Sequence, residues 1–172
     1  VGITGSVGKT STRDMVYSVV KQQYKTLKTE GNYNNNIGLP LTILRLKDEE
    51  VMILEMGMNH LNEMEELSRI ACPDISAITN VGTAHIGELG SRENILKAKL
   101  EIVAGMSDGS TLVINGDNDM LSTVRFDNFK VVKVGVDCAA VFKAEKVILM
   151  DDHSEFTINY NGKVYQVVVP VP

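Results

Sequence analysis

The run Thr4-Gly5-Ser6-Val7-Gly8-Lys9-Thr10-Ser11 has the residue types of a phosphate cradle. Glycines let backbone N–H groups converge on an anion, and a following helix N-terminus adds partial positive charge. On this reading the run binds the phosphates of a nucleotide. Lys9 reaches the β- and γ-phosphates and the Thr10 hydroxyl ligates Mg²⁺. The match to the eight-residue Walker A pattern is partial: its first glycine falls at Ile3, and the core GxxGKT remains.

Three further positions carry chemistry. Val51-Met52-Ile53-Leu54 is an apolar run that ends in Glu55. A carboxylate at the C-terminal end of a parallel strand faces the ligand crevice, where it can hold Mg²⁺ or orient an attacking group. The Gly57-Met58-Asn59-His60 turn behind it reads mainly as loop. His85 follows a second apolar run in Asn80-Val81-Gly82-Thr83-Ala84-His85, again at the sheet's carboxyl edge, and suits a metal or substrate contact. Lys99 shares a helical stripe with Ile95, Ile102 and Met106, so it interrupts an apolar face. Such a lysine either snorkels outward or is buried with a lowered pKa, and a neutral amine can take up CO₂ as a carbamate. Glu93, Lys97 and Glu101 fall on the opposite face and read as a solvated ion-pair row.

The elements that must position these groups alternate between strand and helix. Residues 14–24 place Met15, Val16, Val19, Val20 and Tyr24 on one stripe, which predicts a helix buried along that face. Leu39-Pro40 opens a second helix, 63–70 reads as a third, and Ser91 can cap a long one from Arg92 to about Met106. Residues 51–54, 75–81 and 111–115 are apolar runs of buried-strand length. The expected fold is α/β: a P-loop NTPase-like, mostly parallel sheet with helices on both faces. From Lys130 onward the chain turns β-rich, with strands expected over 130–136, 146–150, 155–160 and 163–169. Asn161-Gly162 signals a hairpin, so a small antiparallel sheet is expected near the C-terminus.

Composition bounds the function. The 172 residues carry 17 basic and 22 acidic side chains, a net charge of −5, which argues against a general nucleic-acid binder. No apolar run approaches a membrane span, and no signal peptide is expected. Two cysteines, Cys72 and Cys138, form no CxxC pair and read as reduced thiols, consistent with a cytoplasmic protein. No NKxD or DxxG is present, so a GTPase is disfavoured, and GxGxxG spacing is missing, which weakens a dinucleotide site. An ATP user remains. With only four residues before the glycine loop and no initiator methionine, the chain reads as the middle of a longer protein.

TGSVGKTST at 4–12, NNNIGLP at 34–40, EMGMNH at 55–60, NVGTAH at 80–85 and ENILKAKLEI at 93–102 together resemble the Mur ligases of peptidoglycan synthesis. NNNIGLP and EMGMNH are most similar to the branch that adds D-alanyl-D-alanine to UDP-N-acetylmuramoyl-tripeptide. The resemblance covers residues 1–172 as the central ATP-binding domain, with 130–172 its β-rich subregion. It implies an N-terminal UDP-binding domain, a C-terminal domain and an adenine-contacting asparagine segment outside this sequence. It implies ATP binding by Gly5, Ser6, Val7, Gly8, Lys9, Thr10 and Ser11 and catalysis by Lys9, Glu55, His85 and Lys99, with one Mg²⁺ on Thr10 and Glu55 and a second on His85 and carbamylated Lys99. Asn36 would contact the muramoyl-peptide. Asn115 and Asp117 match part of a family turn in which Asn118 replaces a second aspartate, and their role stays open. The implied parent is a monomeric, cytoplasmic ligase of cell-wall synthesis; this piece alone is expected to be inactive. Another Mur-type ligase, a folylpolyglutamate-type ligase, or a non-catalytic ATP-binding switch module are the alternatives.

Overall fold

Parallel strands buried on both faces need helical crossovers, and the chain supplies them in order. The structure is a computed structural model that describes residues 1–170; Val171 and Pro172, the end of the expected β-rich subregion, lie outside the described residues. β1 (Gly2–Thr4) leads through the glycine loop into α1 (Lys9–Val20), followed by β2 (Thr26–Lys28), α2 (Gly38–Ile43) and β3 (Val51–Glu55). Next come α3 (Glu63–Ala71), β4 (Ile75–Ile78), a short α4 (Ile86–Leu89) and α5 (Arg92–Leu100). A 3-10 turn (Glu101–Gly105) continues α5 and leads to β5 (Thr111–Asn115), and a second one (Leu121–Thr123) precedes β6 (Lys130–Gly135). The chain closes with β7 (Phe142–Leu149), β8 (Ser154–Tyr160) and β9 (Lys163–Val169).

The nine strands among the described residues form one sheet in the order β2-β3-β1-β4-β5-β6-β7-β8-β9. Pairing is parallel from β2 through β7 and antiparallel in β7-β8-β9. The expected antiparallel sheet therefore begins at β7, whereas β6 aligns parallel to β5 from Lys130 to Val134 and belongs to the central sheet. Asn161 and Gly162 both have positive φ at the β8–β9 turn, as the hairpin signal requires.

On one face Leu54, Ile78, Leu112 and Ile114 pack against Met64 and Leu67 of α3 and Ile95 and Ala98 of α5. Ile3 and Ile53, on the alternate face of β1 and β3, lie under α1. The stripe expected to be buried on α1 is not: Val19 is 71% exposed, Tyr24 44% and Met15 37%, while Arg13 is the helix's buried residue. The glycine loop sets the phase of this helix and turns Arg13, one turn after Lys9 and Thr10, toward the end of β3. On that face α1 packs on β1, β2 and β3. Beyond it Ala77, Val113 and Val134 line an open groove of about 340 Å³, so helical cover of both faces holds fully only for the first half of the sheet.

The stripe Ile95, Lys99 and Ile102 is buried as spaced, although the helix tightens to 3-10 after Leu100. Its polar counterpart differs from expectation. The Glu101 carboxylate accepts from the backbone N–H groups of Asn62 and Glu65, so it caps the N-terminus of α3 instead of joining an ion-pair row. Among the described residues no helix is long and apolar enough to cross a membrane.

Candidate functional site

The carboxyl ends of β1, β3 and β4 meet at the glycine loop, and the loop's shape is set by close approach. A Cβ on Gly5 would stand 1.8 Å from Thr79 Oγ1, so only glycine lets the loop lie against the end of β4. Gly8 caps α1 with φ 79°, a left-handed conformation that glycine adopts without strain. Asn80 braces the loop from the side: its backbone carbonyl accepts from Ser6 N–H at 3.1 Å and its Oδ1 from Val7 N–H at 2.9 Å. Thr79 Oγ1 donates to the Val7 carbonyl, and Ser6 Oγ accepts from Gly82 N–H. Ser6 and Val7 spend their N–H groups on Asn80, whereas the amides of Lys9, Thr10 and Ser11, in the first turn of α1, have no carbonyl within the helix to bond and are free for an anion. The expected strand over 75–81 ends at Ile78 because residues 79–82 are occupied with this bracing.

Glu55 is 2% exposed and fully engaged. Its Oε2 accepts from Thr10 Oγ1 at 2.9 Å and from Arg13 Nη1 at 3.2 Å, and its Oε1 accepts from Asn34 Nδ2 at 2.8 Å. The two oxygen donors expected to share a metal thus lie side by side, and hard carboxylate and hydroxyl oxygens suit Mg²⁺. Lys9 donates from Nζ to the Gly5 carbonyl at 3.0 Å, folded back along its own loop.

Lys99 is 2% exposed, and burial together with the nearby positive charge of Lys9 pushes its pKa down to about 8. Snorkelling is excluded by that burial. His85 has a left-handed φ of 66° at the start of α4. Lys9, His85, Lys99 and Asn36 line one cavity of about 310 Å³ together with Gly5, Asn34, Asn35 and Glu63. A protonated Lys99 cannot ligate a cation, and no group of three or more His, Cys, Asp or Glu among the described residues could hold one. A second metal at His85 therefore fits only if Lys99 carries the carbamate.

Asn36 is exposed at the cavity wall, whereas its neighbours have structural work. Asn35 Oδ1 accepts from the N–H groups of Ile37 and Gly38 and starts α2, and Asn34 reaches Glu55. His60 is exposed, with only its backbone N–H held, by Glu63. Asp117 receives the backbone N–H groups of Val136, Asp137 and Cys138 and ties the turn after β5 to the turn after β6; these bonds hold its carboxyl below the usual range. Asn115 Oδ1 accepts from Asp117 N–H in the same turn.

Sequence reasoning missed Arg13, Asn34, Glu63 and Asn80. Arg13 carried a signal, since it stands three residues after Thr10 and so shares its helix face. Asn80 carried none, because a loop asparagine next to a glycine is ordinary turn chemistry.

A family model described as "Mur ligase middle domain" matches residues 3–172. The UDP-N-acetylmuramoyl-tripeptide–D-alanyl-D-alanine ligase of Bacillus subtilis (strain 168) is 49% identical over 122 residues, 70% of this chain and 27% of the relative. MurF from Acinetobacter baumannii superposes with a TM-score of 0.92 at 30% identity, over 99% of this chain and 38% of that one. The MurF ligase of Thermotoga maritima, solved in complex with ADP, gives a TM-score of 0.87 at 29% identity, over 97% of this chain and 39% of that one. This chain spans about a quarter to two-fifths of the length of these relatives.

Proposed function

The chain belongs to the Mur ligase family, as its middle domain, and on that premise we propose that it is the ATP-using core of a ligase that joins D-alanyl-D-alanine to UDP-N-acetylmuramoyl-tripeptide. The observation that carries this reading is the convergence of Lys9, His85, Lys99 and the Asn34–Asn36 run on one cavity, with the Thr10–Glu55 pair joined to its wall through Asn34. The relatives named above for this reaction supply the substrates.

A carboxylate is a poor acyl donor until it is phosphorylated, and it must approach the equally anionic γ-phosphate. Lys9 and the N-terminal amides of α1 hold the phosphates and offset that repulsion. The peptide carboxylate attacks the γ-phosphorus, giving an acyl phosphate and ADP. The amine of D-alanyl-D-alanine then adds to the acyl carbon, and phosphate leaves as the amide forms. Asn36, exposed on the cavity wall, contacts the muramoyl-peptide. Thr10 and Glu55 would hold one Mg²⁺, and His85 with a carbamylated Lys99 a second; bound there, the cations supply charge neutralisation at the transferring phosphoryl group. The depressed pKa of Lys99 favours the neutral amine that CO₂ requires. In the whole protein, flanking domains bring the UDP-linked substrate and the dipeptide to this cavity, in the cytoplasm where ATP and the nucleotide precursor are made.

The test is ADP release by the full-length protein supplied with UDP-N-acetylmuramoyl-tripeptide, with and without D-alanyl-D-alanine. Release that needs both is expected. ATP binding without acceptor-dependent turnover would mean a switch module, and turnover with another amino acid or with a folate would mean a different ligase of this fold. Lys99→Ala should lose turnover sharply and regain part of it with short carboxylates; full activity in that variant would remove the carbamate from the mechanism.

A further inference from the structure

Arg13 is 4% exposed, and its guanidinium is bonded along every edge. Nη1 donates to Glu55 Oε2 at 3.2 Å and to the Gly31 carbonyl at 3.2 Å. Nε and Nη2 form a two-pronged pair with Asp14, at 3.0 Å each. Asp14 is itself braced by Lys28 Nζ at 2.6 Å, and Lys28 lies over the Tyr17 ring, 4.8 Å from its centroid. The side chains of Arg13 and Glu55 are 5% and 3% exposed, so both charges have left water.

Desolvating such a pair costs several kcal/mol per ion, and well-packed apolar residues often serve stability as well or better. What an apolar pair could not do is hold a carboxylate in one orientation. The planar fork is pinned on its outer side by Asp14, and its inner edge fixes Oε2 of Glu55 beside the Thr10 hydroxyl, while Asn34 fixes Oε1.

We propose that Arg13 is a positioning residue that presents the Glu55 carboxylate to the divalent cation accompanying the nucleotide. The inference rests on the reading that Thr10 and Glu55 hold that cation. Partners one shell removed from a metal typically govern about 10–100-fold in metal affinity. Arg13 also places a positive charge beside the same oxygen, and orientation and repulsion make opposite predictions for its removal.

The experiment measures ADP affinity of the full-length protein by calorimetry, in Mg²⁺ and in EDTA, for wild type, Arg13→Met, Arg13→Lys, Asp14→Asn and Glu55→Gln. Wild type is expected to bind more tightly with Mg²⁺, and Glu55→Gln to lose that gain. Arg13→Met should lose about tenfold of it while its affinity in EDTA stays at the wild-type value, a split that a general loosening of the fold would not produce. Arg13→Lys keeps the charge without the fork, and should recover less than half of the loss. Asp14→Asn weakens the outer brace without stranding a buried charge, should lose about threefold of the gain, and carries the test if Arg13→Met does not fold. An undiminished or larger Mg²⁺ gain in Arg13→Met, or in Asp14→Asn if only that variant folds, would overturn the proposal. Wild-type binding indifferent to Mg²⁺ would overturn the metal reading along with it, whereas a gain lost in Glu55→Gln but kept in the Arg13 and Asp14 variants would sink this inference alone.

Discussion

The Thr10 hydroxyl donates to the Glu55 carboxylate across 2.9 Å, joining two residues forty-five positions apart. The bond ties the first turn of α1 to the end of β3, and it does so at the oxygen that Arg13 also holds. A carboxylate secured by hydroxyl, guanidinium and amide donors is pre-set for its ligand, so little reorganisation is left for the moment of binding.

Glu55→Gln tests that arrangement without changing side-chain size. The amide oxygen can still accept from Thr10, but the charge is gone. ADP release by the full-length protein should fall about 100-fold, with nucleotide binding in EDTA unchanged. Turnover within a few-fold of wild type would show that the Glu55 charge is not needed.

Lys99 makes stability depend on pH in a stated direction. Its folded pKa is about 8, against an ordinary value of 10.5. Below pH 8 both states hold the proton, and the folded state bears a buried cation. Between 8 and 10.5 the unfolded chain binds the proton that the folded chain has released, so stability rises with pH across that window. Lys99→Met removes the penalty. The variant should melt above wild type at pH 7 in bicarbonate-free buffer, with the difference shrinking as pH climbs from 8 toward 10.5. A melting difference that stays constant or grows over that window would show that Lys99 is not desolvated as described.

The site was legible in the sequence wherever chemistry and periodicity coincided. Gly5 to Thr10, Glu55 at a strand end, and Lys99 on an apolar stripe all carry a pattern within a few residues; the fold puts Gly5, Lys9 and Lys99 on one cavity and bonds Thr10 to Glu55 beside it. The parallel sheet was legible for the same reason, from apolar runs separated by helices. Positions whose role depends on a distant partner were not. Glu101 has the spacing of a helix-surface acid, and the Asn62 and Glu65 N–H groups that it caps stand more than thirty residues away in the chain. The α1 stripe misled because the glycine loop, not hydrophobicity, sets that helix's rotation and sends Arg13 inward. Asp117 had a family-like motif around it, yet it spends its carboxylate on three backbone N–H groups after β6.

Asn80 offers a test of the loop's bracing apart from its chemistry. Its Oδ1 is the acceptor for Val7 N–H, so Asn80→Ala frees one loop amide and leaves the phosphate-facing turn of α1 in place. A lost hydrogen bond of this kind costs about 1–1.5 kcal/mol. With that brace gone, ADP must itself order residues 5–7, so it should bind about tenfold more weakly, by calorimetry, in EDTA as well as in Mg²⁺. A loss confined to the Mg²⁺ condition would point to metal binding and remove the bracing role.

Gly105 marks a close backbone approach where the 3-10 turn after α5 crosses α3. Ser68 Oγ accepts from Gly105 N–H at 2.9 Å and donates to the Ile102 carbonyl, drawing the two backbones together. A Cβ on Gly105 would stand 1.9 Å from the Ser68 carbonyl oxygen and 2.8 Å from Arg69 N, both backbone atoms that cannot swing aside. Forcing one methyl into such a contact costs about 1–3 kcal/mol, and each kcal/mol lowers Tm by about 2–4 °C in a domain of this size. Gly105→Ala should therefore melt several degrees below wild type. Gly87→Ala, where a Cβ meets nothing within 4 Å, is the control and should stay within about 0.5 kcal/mol. Because Lys99 lies on the helix that leads into this contact, displacing it should also disturb the cavity. Equal melting temperatures for the two variants would show that α3 and α5 are not held together at Gly105.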